Sequence, residues 1–186
     1  MMPESVTNSP QAENSPGKFS VLTIDKNSSS QNLNEAAALL SPFWKKIDAD
    51  WETKNMLFNG VACCPQNGEQ VLERLRSKDV VTMLIIDNEV VSMGEVQKEK
   101  HDMDIVTVPD YRQNGYGIRV FRSLLETCQK NDIPEIYAHV SPVNLAVMYI
   151  LKKYKLPRIW QDELFLVTIN TKETLAKISR RASRVK

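Results

Sequence analysis

The segment 112–117, with the sequence RQNGYG, holds the residues whose types and spacing are best suited to chemistry. An apolar run ends just before it at Pro109, and the glycines at 115 and 117 open a stretch with helical periodicity. A strand, a tight turn and a helix N-terminus bring backbone N–H groups and roughly half a positive charge to one place. Glycine is used where the backbone turns sharply or lets a ligand approach closely. The segment therefore predicts a site for a phosphate-bearing ligand.

Two common phosphate-binding patterns do not account for these glycines. A dinucleotide-binding turn would have a third glycine where Val120 stands, and it would not follow an antiparallel hairpin. A P-loop would continue with Lys and then Ser or Thr, where Ile118 and Arg119 stand. A plain strand-to-helix turn without a ligand stays open as an alternative.

Composition narrows the class of protein. The chain has 186 residues, 42% of them hydrophobic, and a net charge of +1, which together predict one globular domain. No apolar run approaches the roughly 20 residues of a membrane span. Three cysteines without metal-like spacing and only two histidines argue against both a disulfide framework and a metal site. The first residues are polar and lack the apolar core of a signal peptide, so we expect a cytoplasmic location.

Apolar periodicity predicts strands and helices in alternation along the chain. Pro42 is expected to break the first helix into two pieces, and Asn131 is expected to end a later helix in the left-handed conformation. Predicted strands cover 19–24, 80–86, 90–96, 103–108, 135–140 and 159–169 (the last as one or two strands), and predicted helices cover 33–47, 70–77, 118–128 and 144–154.

These elements define a fold class. Residues 80–96 form a predicted hairpin, whereas the strand–helix–strand unit at 103–140 requires a parallel pair of strands. We therefore expect an α/β (α+β) fold, a mixed sheet with helices on its faces. Residues 1–17 are predicted to be a disordered leader and 18–170 the folded domain. Residues 171–186 are predicted to be a solvated basic tail, because from 172 onward they carry six basic side chains and one acidic one.

The sequence from Pro109 to Ile118, at the end of a strand that follows a hairpin, resembles the acyl-CoA site of the GNAT N-acetyltransferase superfamily. The stretch Val140-Ser141-Pro142-Val143-Asn144 is similar to the second landmark of that family. The resemblance implies a mostly antiparallel sheet of about six to seven strands with a central, splayed parallel pair, flanked by about four helices. The resemblance also implies that residues 18–170 form an acyl-CoA N-acyltransferase domain, which uses acetyl-CoA as its acyl donor and needs no metal.

The resemblance also implies a set of cofactor-binding residues. The backbone amides of the turn would hold the CoA pyrophosphate, and Arg112 would either contact phosphate or form a surface salt bridge. Main-chain groups of the preceding strand would pair with the pantetheine arm, and Asn144 would touch the pantetheine or simply cap its helix. The amides are those of Gln113, Asn114, Gly115, Tyr116, Gly117 and Ile118, and the strand residues are Val106, Thr107 and Val108.

The residues that would transfer protons are less clearly marked. The family often places a tyrosine seven residues after the asparagine, where this chain has Leu151. Tyr149 and Tyr154 are the nearest candidates for the acid, and packing roles for both stay open. Glu95 and Asp104 are the candidate bases, with ordinary strand charges as the alternative.

The predicted function is transfer of an acetyl group from acetyl-CoA to a primary amine by direct attack on the thioester. The amine belongs to a small molecule or a protein. The alternative is a non-catalytic CoA-binding module with a regulatory or interaction role, because the tyrosine is missing and Lys155-Leu156 replace the family's Gly-Phe. A nucleotide-binding protein of another kind is a third hypothesis. Homodimer formation stays open, and nucleic-acid contact through the basic tail is not expected.

Overall fold

The computed structural model describes residues 19–50 and 64–182. The predicted leader at 1–17 and the last residues of the predicted tail, 183–186, lie outside this part of the chain. The helices and strands, in chain order, are β1 (Phe19–Asp25), α1 (Ser30–Ala49), α2 (Gly68–Arg76), β2 (Lys78–Ile86), β3 (Glu89–Gln97), β4 (Met103–Thr107), a short 3-10 helix (Pro109–Tyr111), α3 (Tyr116–Lys130), β5 (Glu135–Val140), α4 (Leu145–Tyr154), β6 (Arg158–Gln161), β7 (Leu164–Asn170) and α5 (Thr171–Ala182).

The first sheet is antiparallel, with the strands in the order β1-β2-β3-β4. Its centre is the predicted hairpin, in which Asp87 and Asn88 form a two-residue turn with φ angles of 48° and 65°. Positive φ at both turn residues matches the right-handed twist of the flanking strands, and Asp and Asn tolerate that conformation. The hairpin predicted from the sequence is therefore confirmed.

The second sheet is also antiparallel and has the order β5-β7-β6. It meets the first sheet at one parallel bridge between Asp102 and Tyr137, where the Tyr137 N–H donates to the His101 carbonyl at 3.0 Å. Beyond this bridge β4 and β5 are not paired in the described chain. The predicted mixed sheet with a splayed parallel pair is confirmed, with seven strands and five α-helices among the described residues.

Helices cover both sides of the first sheet. The side chains of Leu40, Phe43 and Trp44 in α1 pack with Met83 and Met93 of the sheet in one core cluster. A second cluster joins α3, α4 and α5 to the other face of the sheets, and its members include Leu124, Leu125, Ile136, Leu151, Val167 and Ile178. The gap between β4 and β5 lies where the two sheets meet.

Helix α1 corrects one prediction, because Pro42 does not break it. The helix runs without interruption from Ser30 to Ala49, with Pro42 inside it. A proline in a helix interior removes one hydrogen bond and costs about 3 kcal/mol. The buried face of α1 offsets this cost, because six side chains are buried along its length: Ala36, Ala37, Leu40, Phe43, Trp44 and Ile47.

The end of α3 differs in detail from the prediction. Asn131 caps the helix with a φ of −100°, and the next residue, Asp132, takes the left-handed conformation with a φ of 59°. The Asn131 amide nitrogen, Nδ2, donates to Asp25 at 3.2 Å and to the Thr127 carbonyl at 3.0 Å, so its side chain is committed to the core. The left-handed position is therefore one residue later than expected.

The first part of the predicted tail is a packed helix rather than a solvated end. Thr171, Thr174 and Ile178 of α5 are buried. The Thr171 N–H donates to the Pro134 carbonyl at 3.0 Å and its hydroxyl to the Ile133 carbonyl at 3.1 Å, which anchors the start of the helix. The basic side chains therefore belong to a helix that completes the second core cluster.

Helix α4 ends on a residue poorly suited to its backbone conformation, and this yields a stability prediction. Lys155 has φ 52° and ψ 48°, and the Leu156 N–H donates to the Leu151 carbonyl at 3.0 Å. Because a left-handed residue with a side chain costs about 1 kcal/mol, we expect Lys155→Gly to raise the free energy of unfolding by about 1 kcal/mol. Urea unfolding measures the change. Lys152→Gly, inside the same helix, is the control and should lower the free energy of unfolding by about the same amount. If both changes shift this free energy in the same direction, Lys155 does not carry the cost of a left-handed backbone.

Candidate functional site

The turn between β4 and α3 is built from two residues in the left-handed conformation. Gln113 has a φ of 66° and Gly115 a φ of 77°, and Gly115 is the N-cap of α3. The Asn114 side chain closes the turn by donating to the Arg112 carbonyl at 3.1 Å. Left-handed residues in a turn curve successive N–H groups toward one side, which makes a concave site for an anion.

The amides of this turn have no acceptor in the described part of the chain. The first N–H that is bonded within α3 is that of Arg119, which donates to the Gly115 carbonyl at 3.2 Å. Gly115 supplies no side-chain cap, and the first turn of α3 contains no acidic residue. Six N–H groups and the positive end of a helix are thus available to a ligand. They belong to Gln113, Asn114, Gly115, Tyr116, Gly117 and Ile118.

The backbone conformation favours a glycine at Gly115, but neither the backbone nor the packing of the protein requires one at Gly117. A Cβ at this position would lie 3.5 Å from the Thr107 hydroxyl, an ordinary van der Waals distance. Its φ is not positive, unlike that of Gly115. The fold would therefore accept a side chain at Gly117, and the role of this glycine in letting a ligand approach the turn stays a prediction.

Arg112 is engaged by protein groups. Its Nη2 pairs with the Asp50 carboxylate at 2.5 Å, and its Nε donates to the Thr107 carbonyl at 3.3 Å. Asp50 is the C-cap of α1. The guanidinium therefore links the end of β4 to the end of α1 through a salt bridge, one of the two roles predicted for Arg112. Phosphate contact by Arg112 stays a prediction.

The hydrogen bonds of β4 show which main-chain groups face the gap. The Val108 N–H donates to the Val91 carbonyl of β3 at 3.0 Å, whereas the His101 carbonyl accepts from β5. Because antiparallel pairing alternates along a strand, Val106 and Val108 turn their main-chain groups toward β3, and Ile105 and Thr107 turn theirs toward the gap. Sequence reasoning missed Ile105, and only the pairing register with β3 could have revealed it.

The two candidate bases, Glu95 and Asp104, lie directly opposite each other on β3 and β4. Glu95 is 2% exposed and accepts two hydrogen bonds from Arg74, at 2.6 and 3.0 Å. Lys78, which is also buried, adds an ion pair at 2.8 Å. Both Glu95 oxygens are thus held by cations, an arrangement that suits a structural ion pair better than a proton acceptor.

Asp104 is in a different electrostatic position. It is half-buried, and no hydrogen bond or ion pair from the described residues reaches its carboxylate. Burial raises the pKa of Asp104, the neighbouring Glu95 charge raises it further, and Arg74 and Lys78 partly oppose this shift. A carboxylate whose pKa is moved toward neutrality and whose oxygens are not engaged is suited to general-base work.

The remaining candidates lie on α4. The Asn144 side chain accepts from the Val147 N–H at 3.2 Å, so it caps the helix. Tyr149 is 63% exposed, whereas Tyr154 is 6% exposed and packs in the second core cluster, as does Leu151. Tyr154 lies at the far end of α4 from Asn144, about 15 Å away along the helix. Catalytic roles for both tyrosines stay predictions.

In the described residues, 19–50 and 64–182, no group of three or more His, Cys, Asp or Glu side chains could hold a metal ion. Within the same ranges, every helix is too short or too polar to cross a bilayer.

No protein-family model and no curated protein sequence matches this chain. Solved structures do match. The acetyltransferase of GNAT family from Streptococcus pneumoniae superposes with a TM-score of 0.62 at 14% identity, over 82% of this chain and 99% of that one. The GNAT domain of S. lividans PAT gives 0.63 at 12% identity, over 81% and 89% of the two chains.

A third neighbour was solved with a ligand. The Salmonella typhimurium protein yncA, with its cofactor acetyl-CoA, superposes with a TM-score of 0.56 at 8% identity, over 82% of this chain and 94% of that one. The chain therefore has the fold of the GNAT acetyltransferases, and the resemblance predicted from the sequence is confirmed at the level of the fold.

Proposed function

We propose that this protein transfers an acetyl group from acetyl-CoA to a primary amine. The observation that carries the proposal is the set of six amides at 113–118 without a protein acceptor, beside the gap between β4 and β5. A helix N-terminus of this kind binds phosphate oxygens. The fold is shared with a protein solved with its cofactor acetyl-CoA, which supports CoA as the source of the phosphates.

The proposed cofactor position follows from this geometry. The pyrophosphate accepts hydrogen bonds from the amides of the turn, and the pantetheine arm enters the gap as an added strand. Ile105 offers its main-chain N–H and carbonyl to that arm, and Thr107 offers its N–H, because its carbonyl already accepts from Arg112. The thioester then lies farther along β4, on the side of Asp104.

The chemistry requires a neutral amine next to the thioester carbonyl. Asp104 accepts a proton from the incoming ammonium group, directly or through one water molecule. The amine nitrogen forms a bond to the carbonyl carbon, a main-chain N–H of β4 stabilises the oxyanion, and the C–S bond then breaks. The CoA thiolate leaves and takes up a proton from solvent or from a tyrosine, and the nitrogen that now carries the acetyl group releases its extra proton to solvent. Thiols are far more acidic than alcohols, with a pKa of about 8.5 for cysteine, so a thiolate can leave without a dedicated acid.

A turnover assay tests the proposal. The protein is incubated with acetyl-CoA and a panel of primary amines, and release of free CoA thiol is measured together with the acetylated product. Thiol release that depends on the amine supports acetyl transfer. Tight CoA binding without thiol release for any amine would instead support the non-catalytic module, which the buried Leu151 at the tyrosine position favours.

Gly117 gives a direct test of the cofactor site. We expect Gly117→Ala to weaken acetyl-CoA binding at least tenfold, or about 1.4 kcal/mol, because the new methyl group occupies the approach to the turn amides. The free energy of unfolding should stay unchanged or rise, since the fold accepts a Cβ there. Calorimetric titration measures the dissociation constant.

Gly68 is the matched control for this change. It is the first residue of α2, and a Cβ placed on it would meet nothing within 4 Å. Gly68→Ala should therefore leave acetyl-CoA affinity as it is in the natural chain. Equal affinity in the Gly117 and Gly68 variants would show that the turn does not hold the cofactor.

A further inference from the structure

A basic pocket lies where the C-terminal ends of α4 and α5 meet. Its volume is about 370 Å³, and five of its six lining residues are cationic at neutral pH. They are Lys153, Tyr154, Lys155, Lys177, Arg180 and Arg181. This pocket is not part of the acetyl-CoA site described above. The pocket is lined by three of the four basic residues that α5 contains, namely Lys177, Arg180 and Arg181.

One cation of the pocket has an acidic partner at its rim. Glu173, which is 65% exposed, contacts Lys177 at 2.8 Å. Lys153 and Arg181 both lie over the Tyr154 ring, at 5.8 and 5.7 Å from its centre. The ring therefore holds two cations at the wall of the pocket.

Ordinary helix capping accounts for only part of the cluster. Each helix C-terminus carries roughly half a negative charge, so the two ends together offset about one positive charge. Lys153, Lys155 and Arg181 form no ion pair with an acid among the described residues, and the repulsion between these charges is relieved by an anion that carries several charges. Lys and Arg both bind phosphate groups, Arg through paired hydrogen bonds and Lys as a compact charge.

We propose that this pocket binds a small anion that carries at least two phosphate groups. Its volume falls in the range of small-molecule sites, about 300–1,000 Å³. Tyr154 is 6% exposed, so its ring offers no free face for stacking a base, and recognition rests on the phosphates. The pocket lies at the opposite end of α4 from Asn144, about 15 Å away along the helix, so it is separate from the proposed acetyl-CoA site.

Calorimetric titration of the full chain with tripolyphosphate, near physiological salt and with CoA at saturation, tests the proposal. The natural chain should bind one tripolyphosphate per protein, and orthophosphate at least tenfold more weakly. Lys153→Ala/Lys177→Ala should lose at least tenfold in tripolyphosphate affinity, whereas Lys153→Arg/Lys177→Arg, which keeps the charges, should retain it. The control Lys26→Ala/Lys100→Ala removes two exposed lysines outside the pocket and should bind like the natural chain.

Three results would overturn the proposal. One is unchanged affinity in Lys153→Ala/Lys177→Ala. Another is a tripolyphosphate site that is seen without CoA and disappears when CoA saturates the protein, which would place the anion at the turn. The last is binding of a single-stranded oligonucleotide when tripolyphosphate does not bind. Thermal unfolding of each variant confirms that it is folded, and none of these results depends on whether the protein transfers acetyl groups.

Discussion

Asp104→Asn is expected to lower kcat for acetyl transfer by about 100- to 10,000-fold, the usual contribution of a positioned general base. The amide has nearly the shape of the carboxylate but cannot accept a proton from the ammonium group of the acceptor. Acetyl-CoA affinity should not change, because the turn amides lie on a different segment of the chain. Steady-state kinetics and calorimetry on the same preparation measure the two quantities.

The pH dependence of the reaction gives a second readout of Asp104. Its raised pKa predicts activity that increases with pH through a value above that of an ordinary aspartate, and Asp104→Asn should lack this limb.

Stability should move in the opposite direction. Because the pKa is higher in the folded protein than in the unfolded chain, the folded state loses stability as pH rises from the unfolded value through the folded one. The Asn variant should therefore be at least as stable as the natural chain at pH 7. Asp110→Asn, an exposed acid three residues past Thr107, is the control and should leave kcat unchanged. An equal loss in both variants, or none in Asp104→Asn, would contradict the assignment.

Glu95→Gln is expected to lower the free energy of unfolding by about 3–5 kcal/mol, because it removes the buried negative charge that the buried Lys78 and the half-buried Arg74 share. Arg74 and Lys78 both contact Glu95, at 2.6 and 2.8 Å. The loss is large against a typical total of roughly 5–15 kcal/mol. Urea unfolding measures it.

The control for this prediction is on the same strand. Glu89 forms an exposed pair with Lys46 at 2.7 Å, and Glu89→Gln should cost no more than about 1 kcal/mol. If Glu95→Gln proves as stable as Glu89→Gln yet has lost its kcat, Glu95 is catalytic and the structural assignment is wrong.

Local signals carried most of the fold prediction. Alternating and continuous apolar runs located every strand, and the glycines located the start of α3. Pro42 was misread because a local rule says nothing about the buried face that stabilises α1. Helix α5 was missed because only one of its three buried positions is apolar: they are Thr171, Thr174 and Ile178. Apolar periodicity therefore gave little signal, and the burial of these positions depends on contacts with distant parts of the chain.

The site was predictable only where neighbours in sequence form it. The turn at 113–118 is continuous in the chain, and glycine marks it. The partners of the charged residues are not continuous: Arg112 and Asp50 are 62 residues apart, and Arg74 and Glu95 are 21 apart. Such pairings depend on how sheets and helices pack, so the sequence could not decide whether Glu95 or Asp104 has a free carboxylate.

Hydrogen–deuterium exchange resolved to single amides, with and without acetyl-CoA, tests the central claim most directly. The account predicts that acetyl-CoA slows exchange at the amides of 113–118 and at those of Ile105 and Thr107 in the gap. The amides at the start of α2 should exchange at the same rate in both samples. If acetyl-CoA does not slow exchange at 113–118, or slows it only in other segments, the proposed cofactor site is wrong.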